Sequence, residues 1–122
     1  MKPIFIPHDT YQNFVLQKLQ VYYGSGFVIL NKDWPLVMKF WQTDLSSITT
    51  FLQEFYSVRG PLPQDPASML CSYLIFLMTN SEKGLTEWIN IIKRTPIYAI
   101  LNGFSPRNIP GVGTFYDFFR RL

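Results

Sequence analysis

From Pro66 to Asn80 the chain carries no charged side chain, and its apolar residues leave almost no helical direction free. Asp65 stands in front of this stretch as an acceptor for unpaired helix N–H groups. Pro66 suits the first helical position, where an N–H has no intrahelical partner to lose. The most hydrophobic part, Met69 to Met78, includes Ser72 and Tyr73 and falls well short of the roughly 20 residues that cross a bilayer. A helix that is apolar all round must be enclosed by other helices. The expected fold class is therefore all-α: a single compact bundle of six or seven short helices around a central helix at about 66–80, with no membrane association.

Helical spacing supplies the surrounding elements. Tyr11, Val15, Leu19 and Tyr22 recur at intervals of four, four and three after a cap at Asp9 or Thr10, and Gly24-Ser25-Gly26 breaks that run. Phe27 to Leu30 has no second alternating segment to pair with and reads as a packed connector. Asp33-Trp34-Pro35 starts a helix through Gln42, and a second start at Asp44 places Leu45, Ile48, Leu52 and Phe55 on one face. Arg59-Gly60-Pro61-Leu62-Pro63 stops that helix in a stiff loop. Thr86 is the expected cap of a helix whose Trp88, Ile89 and Ile92 face inward. Thr95-Pro96 restarts a short helix ending at Asn102-Gly103, and Thr114-x-x-Asp117 resembles a capping box opening a last helix. That helix keeps its apolar side (Phe115, Phe118, Phe119, Leu122) up to the final residue, as a segment cut from something longer would. No linker divides the chain, so residues 1–122 are expected to form one domain, with 1–33 a less regular N-terminal part.

With 48% hydrophobic and 16% charged residues, the chain has ample material for a core. The net charge of +3 is unevenly placed. Five cations (Lys93, Arg94, Arg107, Arg120, Arg121) face one anion, Asp117, between Trp88 and Leu122, while the rest of the chain has six cations and seven anions. A basic end of this kind permits nucleic-acid binding. The single cysteine, Cys71, cannot form an intramolecular disulfide and reads as a small core residue. Met1 to Pro7 lacks the apolar run of a signal peptide, which makes the expected location cytoplasmic.

Catalytic chemistry is poorly represented. The one histidine, His8, lies in a proline-flanked stretch and reads as solvated. One His and one Cys cannot assemble a zinc site, and neither phosphate-binding loops nor a G-x-S-x-G elbow occurs. Gly111-Val112-Gly113 shares two glycines with a dinucleotide fingerprint but follows no strand. Asp9, Asp65 and Asp117 have capping explanations, and no carboxylate cluster suggests a bound metal. Neither a cofactor nor an enzymatic activity is expected of this chain.

Five segments in order carry a resemblance: Arg59-Gly60-Pro61; Asp65-Pro66 with the apolar helix behind it; Gly84-Leu85-Thr86-Glu87-Trp88; Thr95 to Phe104; and Pro110 to Leu122, with its Gly113-Thr114-Phe115 and Arg121-Leu122. Together they resemble the N-terminal domain of bacterial insertion-sequence transposases of the DDE type, over about Trp34 to Leu122. In that family the helical region precedes an RNase H-like domain bearing three metal-binding carboxylates. No such domain follows here, so the resemblance carries over no catalytic residue. It implies binding of double-stranded DNA at the terminal inverted repeats of a mobile element, or pairing of subunits, as a homodimer or with a full-length transposase; an inert truncated remnant is the third possibility.

On this reading the nucleic-acid-binding candidates are Lys93, Arg94, Arg107, Arg120 and Arg121. Lys93-Arg94 also suits a helix dipole, as does Arg120-Arg121, whereas Arg107, in the loop Ser105-Pro106-Arg107-Asn108, has no helix to serve. The helices on either side of Thr95 resemble a helix-turn-helix only loosely, because that motif needs a turn of about 3–4 residues. Phe115, Phe118 and Phe119 form the candidate interaction surface, with packing against the chain's own bundle as the plainer role for rings at core spacing.

Overall fold

A computed structural model describes residues 1–23, 33–60 and 62–121. Seven α-helices occur among them: α1 (His8–Tyr23), α2 (Trp34–Gln42), α3 (Ser47–Leu52), α4 (Pro66–Thr79), α5 (Leu85–Arg94), α6 (Pro96–Asn102) and α7 (Val112–Arg121), with a 3-10 turn at Gln53–Phe55. The fold class is all-α. The glycine break at 24–26, the connector at 27–30, Pro61 and Leu122 lie outside the described residues.

The hub of the bundle is α6 rather than α4. Ile97, Ala99, Ile100, Leu101 and Asn102 are all buried, and α6 packs on α1, α2, α4 and α5. The longer α4 buries Met69, Cys71, Ser72, Ile75 and Phe76, yet leaves Leu77 and Met78 about half exposed. Two turns of helix are too short to reveal a period, so the element with the most buried surface per residue gave the weaker signal.

Asp65 caps α4 as expected, and does more. Its Oδ1 accepts from the Ala67 N–H at 3.3 Å and from the buried Thr49 hydroxyl at 3.0 Å. Its Oδ2 accepts from the Ser68 hydroxyl at 3.2 Å, so one carboxyl joins the start of α4 to α3. Burial still raises the Asp65 pKa above the ordinary carboxylate range, against the pull of those donors. Its ionisation therefore costs stability as pH rises through the folded-state value, and the cost is absent below the unfolded value of about 3.9. Asp65→Asn, which can still cap, is expected to gain on the native protein between acidic and neutral pH. Asp65→Ala should lose about 1–2 kcal/mol at either pH. Thermal melts of the three proteins at both pH values check this.

The end of α6 is a Schellman motif. Gly103 adopts φ 88°, its N–H donates to the Ile100 carbonyl at 2.9 Å, and the N–H of Phe104 donates to the Ala99 carbonyl at 2.9 Å. A Cβ on Gly103 would sit 2.6 Å from the Ser68 Oγ, whereas one on Gly60 (φ 90°) would meet nothing. Gly60→Ala is expected to cost about 1 kcal/mol from backbone conformation alone, and Gly103→Ala about 2 kcal/mol or more because Ser68 must also move. Paired chemical denaturation curves read the difference.

Several helix starts differ from their expected positions. Helix α1 begins at His8, with the Pro7 carbonyl accepting from Thr10 and Tyr11, so Asp9 is in the first turn and is not the cap. Gly84, not Thr86, precedes α5, and Thr114 and Asp117 lie inside α7, which starts at Val112. In each case a preceding residue with a compatible backbone extends the helix by a few positions beyond the side-chain signal. Phe55 is exposed because the 3-10 turn rotates it off the face shared by Leu45, Ile48 and Leu52. His8 is half-buried, stacked on Tyr11 with Nδ1 4.0 Å from Asp44, and is not a solvated tail residue.

Candidate nucleic-acid interface

Helix α5 sorts its residues cleanly. Trp88, Ile89 and Ile92 enter the core, and Glu87, Asn90, Lys93 and Arg94 remain in solvent. Lys93 and Arg94 occupy the last turn, where they complement the negative end of the helix dipole. Arg94 lies 3.6 Å from Glu87 in an exposed ion pair of little energetic weight. The Lys93 ammonium makes no hydrogen bond or ion pair among the described residues.

A single residue, Thr95, ends α5 and begins α6. The loose helix-turn-helix reading fails here, because the second helix of such a pair must present side chains to a groove. Helix α6 instead spends its side chains on the core. Only the polar face and C-terminal end of α5 are available from this pair.

Arg107 is exposed in the turn closed by the Asn108 N–H on the Ser105 carbonyl at 2.8 Å. Its guanidinium makes no hydrogen bond or ion pair among the described residues, which leaves all its donors for a ligand. The two arginines of α7 are differently placed. Arg120 pairs with Asp117 at 2.8 Å. Arg121 donates to the Asp117 carbonyl at 3.3 Å and lays its guanidinium 4.1 Å above the Tyr56 ring. Arg121 is therefore partly buried, and its contact with Tyr56 joins α7 to the segment after α3. No hydrogen bond or ion pair joins Lys93, Arg94 or Arg107 to this second group among the described residues.

Phe115 and Phe118 do not form a surface. They are 0% and 2% exposed, with Phe115 edge-on to Phe104. Phe119, the third ring, is half-buried and packs edge-on against Tyr73 at 5.0 Å. Amphipathic spacing correctly marked a buried side of α7, and the bundle itself covers it.

Sequence reading missed a cleft of about 410 Å³ between α7 and the segment after α3, whose walls include Tyr56, Arg59, Gln64, Thr114 and Arg121. Arg59 and Arg121 are too far apart in the chain for any local pattern to join them. A smaller cavity of about 30 Å³, lined by His8, Tyr11, Asp65, Ser68, Cys71 and Asn102, is suited to no more than a water molecule or two. Its thiol is inert: Cys71 donates to the Leu101 carbonyl at 3.2 Å, and burial pushes its pKa up to about 12. Among the described residues, no three His, Cys, Asp or Glu side chains converge as metal ligands, and no helix is long and apolar enough to cross a membrane.

Comparisons with protein families, with characterised proteins and with solved structures return no match to this chain.

Proposed function

We propose that this chain is a non-catalytic, double-stranded DNA-binding domain of the transposase type, which recognises the terminal inverted repeats of a mobile element. The observation that carries the reading is the exposed cationic set Lys93, Arg94 and Arg107, opposed among the described residues by the weak contact of Arg94 with Glu87. Cations held at the end of a well-anchored helix and in a short turn suit phosphate contacts, which position a protein on the duplex without reading its sequence. The order of segments from Arg59 to Leu122 supplies the transposase part of the proposal.

Fluorescence anisotropy on two labelled duplexes tests it. One carries the DNA flanking the gene, where inverted repeats should lie, and the other is a scrambled copy. Tighter binding to the flanking duplex, weakening as salt rises, is the expected result; absence of binding to either at low salt overturns the proposal. Pairing through Phe115 and Phe118 loses its support, since both rings are already packed inside the chain.

A further inference from the structure

The cleft beside Tyr56 has the features of a site for an anion. The Arg121 guanidinium sits over the Tyr56 ring, an arrangement that fixes it while leaving donors free to reach a ligand. Among the described residues, one of those donors is engaged, by the long contact to the Asp117 carbonyl. Arg59, on the other wall, is exposed, and its side chain makes no hydrogen bond or ion pair among the described residues.

The backbone that carries Arg59 is tied down from several directions. Its N–H donates to the Ser57 hydroxyl at 3.1 Å, and its carbonyl and that of Gly60 accept from the Met1 ammonium. Lys2 Nζ donates to the carbonyls of Gln53 at 2.7 Å and Tyr56 at 3.0 Å, fixing the same segment from below. Among the described residues, the carboxylate that lines the cleft is that of Asp117, which is already held by Arg120. The wall therefore offers two guanidiniums, the hydroxyl of Thr114 and the amide of Gln64, and the charge of Asp117 is partly offset by Arg120.

We infer that this cleft binds the phosphate group of a nucleotide unit, between the guanidiniums of Arg59 and Arg121, with Tyr56 as the platform that orients Arg121. Planar forks with several donors match a phosphate's oxygens better than point charges do, and a cleft of this volume has room for the attached sugar. The unit can belong to a free mononucleotide or to the end of a strand. The inference shares only nucleotide chemistry with the duplex-binding proposal, and the two can fail separately.

The test uses the full chain and follows the Nε–Hε signals of Arg59 and Arg121 by NMR. The probes are inorganic phosphate, deoxyadenosine monophosphate, and one short single strand made with and without a 5′-phosphate. Shifts of both signals with the nucleotide and with the phosphorylated strand are expected, and Arg59→Gln, followed on the remaining Arg121 signal, should weaken binding about tenfold. Preference for the strand over the mononucleotide identifies strand ends as the source, and the reverse preference identifies free nucleotides. Arg121→Lys keeps the charge without the stacked fork and should also weaken binding; Arg59→Gln, which removes no side-chain hydrogen bond or ion pair among the described residues, guards against misreading an unfolded variant. A triple Lys93→Glu, Arg94→Glu, Arg107→Glu variant should retain these shifts while losing duplex affinity. Equal binding of inorganic phosphate and nucleotide, shifts that survive Arg59→Gln, or no shift with any probe each overturn the inference.

Discussion

Trp88→Ala is expected to remove about 3–5 kcal/mol of stability, enough to leave a domain of this size marginal or unfolded at ordinary temperatures. Trp88 is fully buried, in contact with the rings of Phe76 and Tyr98, and its indole N–H donates to the Ser72 hydroxyl at 3.1 Å. The same hydroxyl accepts from the Asn102 amide at 3.1 Å, so α4, α5 and α6 meet at one oxygen. Trp88→Phe keeps most of the ring and should cost about 1–2 kcal/mol, chiefly the hydrogen bond and a small cavity. Ser72→Ala strands two buried donors together and should cost more than its lost volume suggests. In a cycle of Trp88→Phe with Ser72→Ala, the double variant should be more stable than the sum of the single losses predicts, because Phe no longer needs the acceptor. Strict additivity would mean that this junction is not the unit described.

The second large effect is on binding. If Lys93, Arg94 and Arg107 each neutralise a phosphate, the logarithmic salt slope has a contribution of about −2.7, and a fourfold rise in salt weakens duplex binding about 40-fold. Reversing all three to Glu should therefore reduce affinity by about that factor or more near 50 mM salt, with a visibly flatter slope. Far-UV circular dichroism should be unchanged, since none of the three side chains contributes to the core. An unchanged salt slope in the reversed variant would move the DNA contact to another face.

How much could be read without coordinates depended on range. The Asp65-Pro66 start, the Asn102-Gly103 stop and the inward set Trp88, Ile89 and Ile92 are local signals written within one or two turns, and each corresponds to an observed feature. The importance of α6 was not legible, because seven residues cannot show a period and the partners that bury them come from four other helices. The Thr114-x-x-Asp117 pattern was legible but misleading. Its acid serves Arg120 on the same helix, and the true start two residues earlier has no side-chain signature. Neither the Arg121–Tyr56 stack nor the cleft beside it could be anticipated, since both depend on how α7 settles against a loop that precedes it by half the chain.

The seating of α1 on α6 has a consequence for synthesis. Tyr11 donates to the Leu101 carbonyl, 90 residues later, at 2.6 Å, and Tyr23 accepts from the N–H of Ile97. At roughly 5–20 residues per second, the first helix waits about 5–18 s after leaving the ribosome before its docking site is made. During that interval Val15 and Leu19, buried in the finished protein, can shelter against α2, aided by the paired bonds between Gln12 and Trp41. A nascent chain arrested anywhere before Pro96 thus carries α1 without its docking site on α6. Chaperone engagement should begin with α1 and end abruptly when α6 emerges.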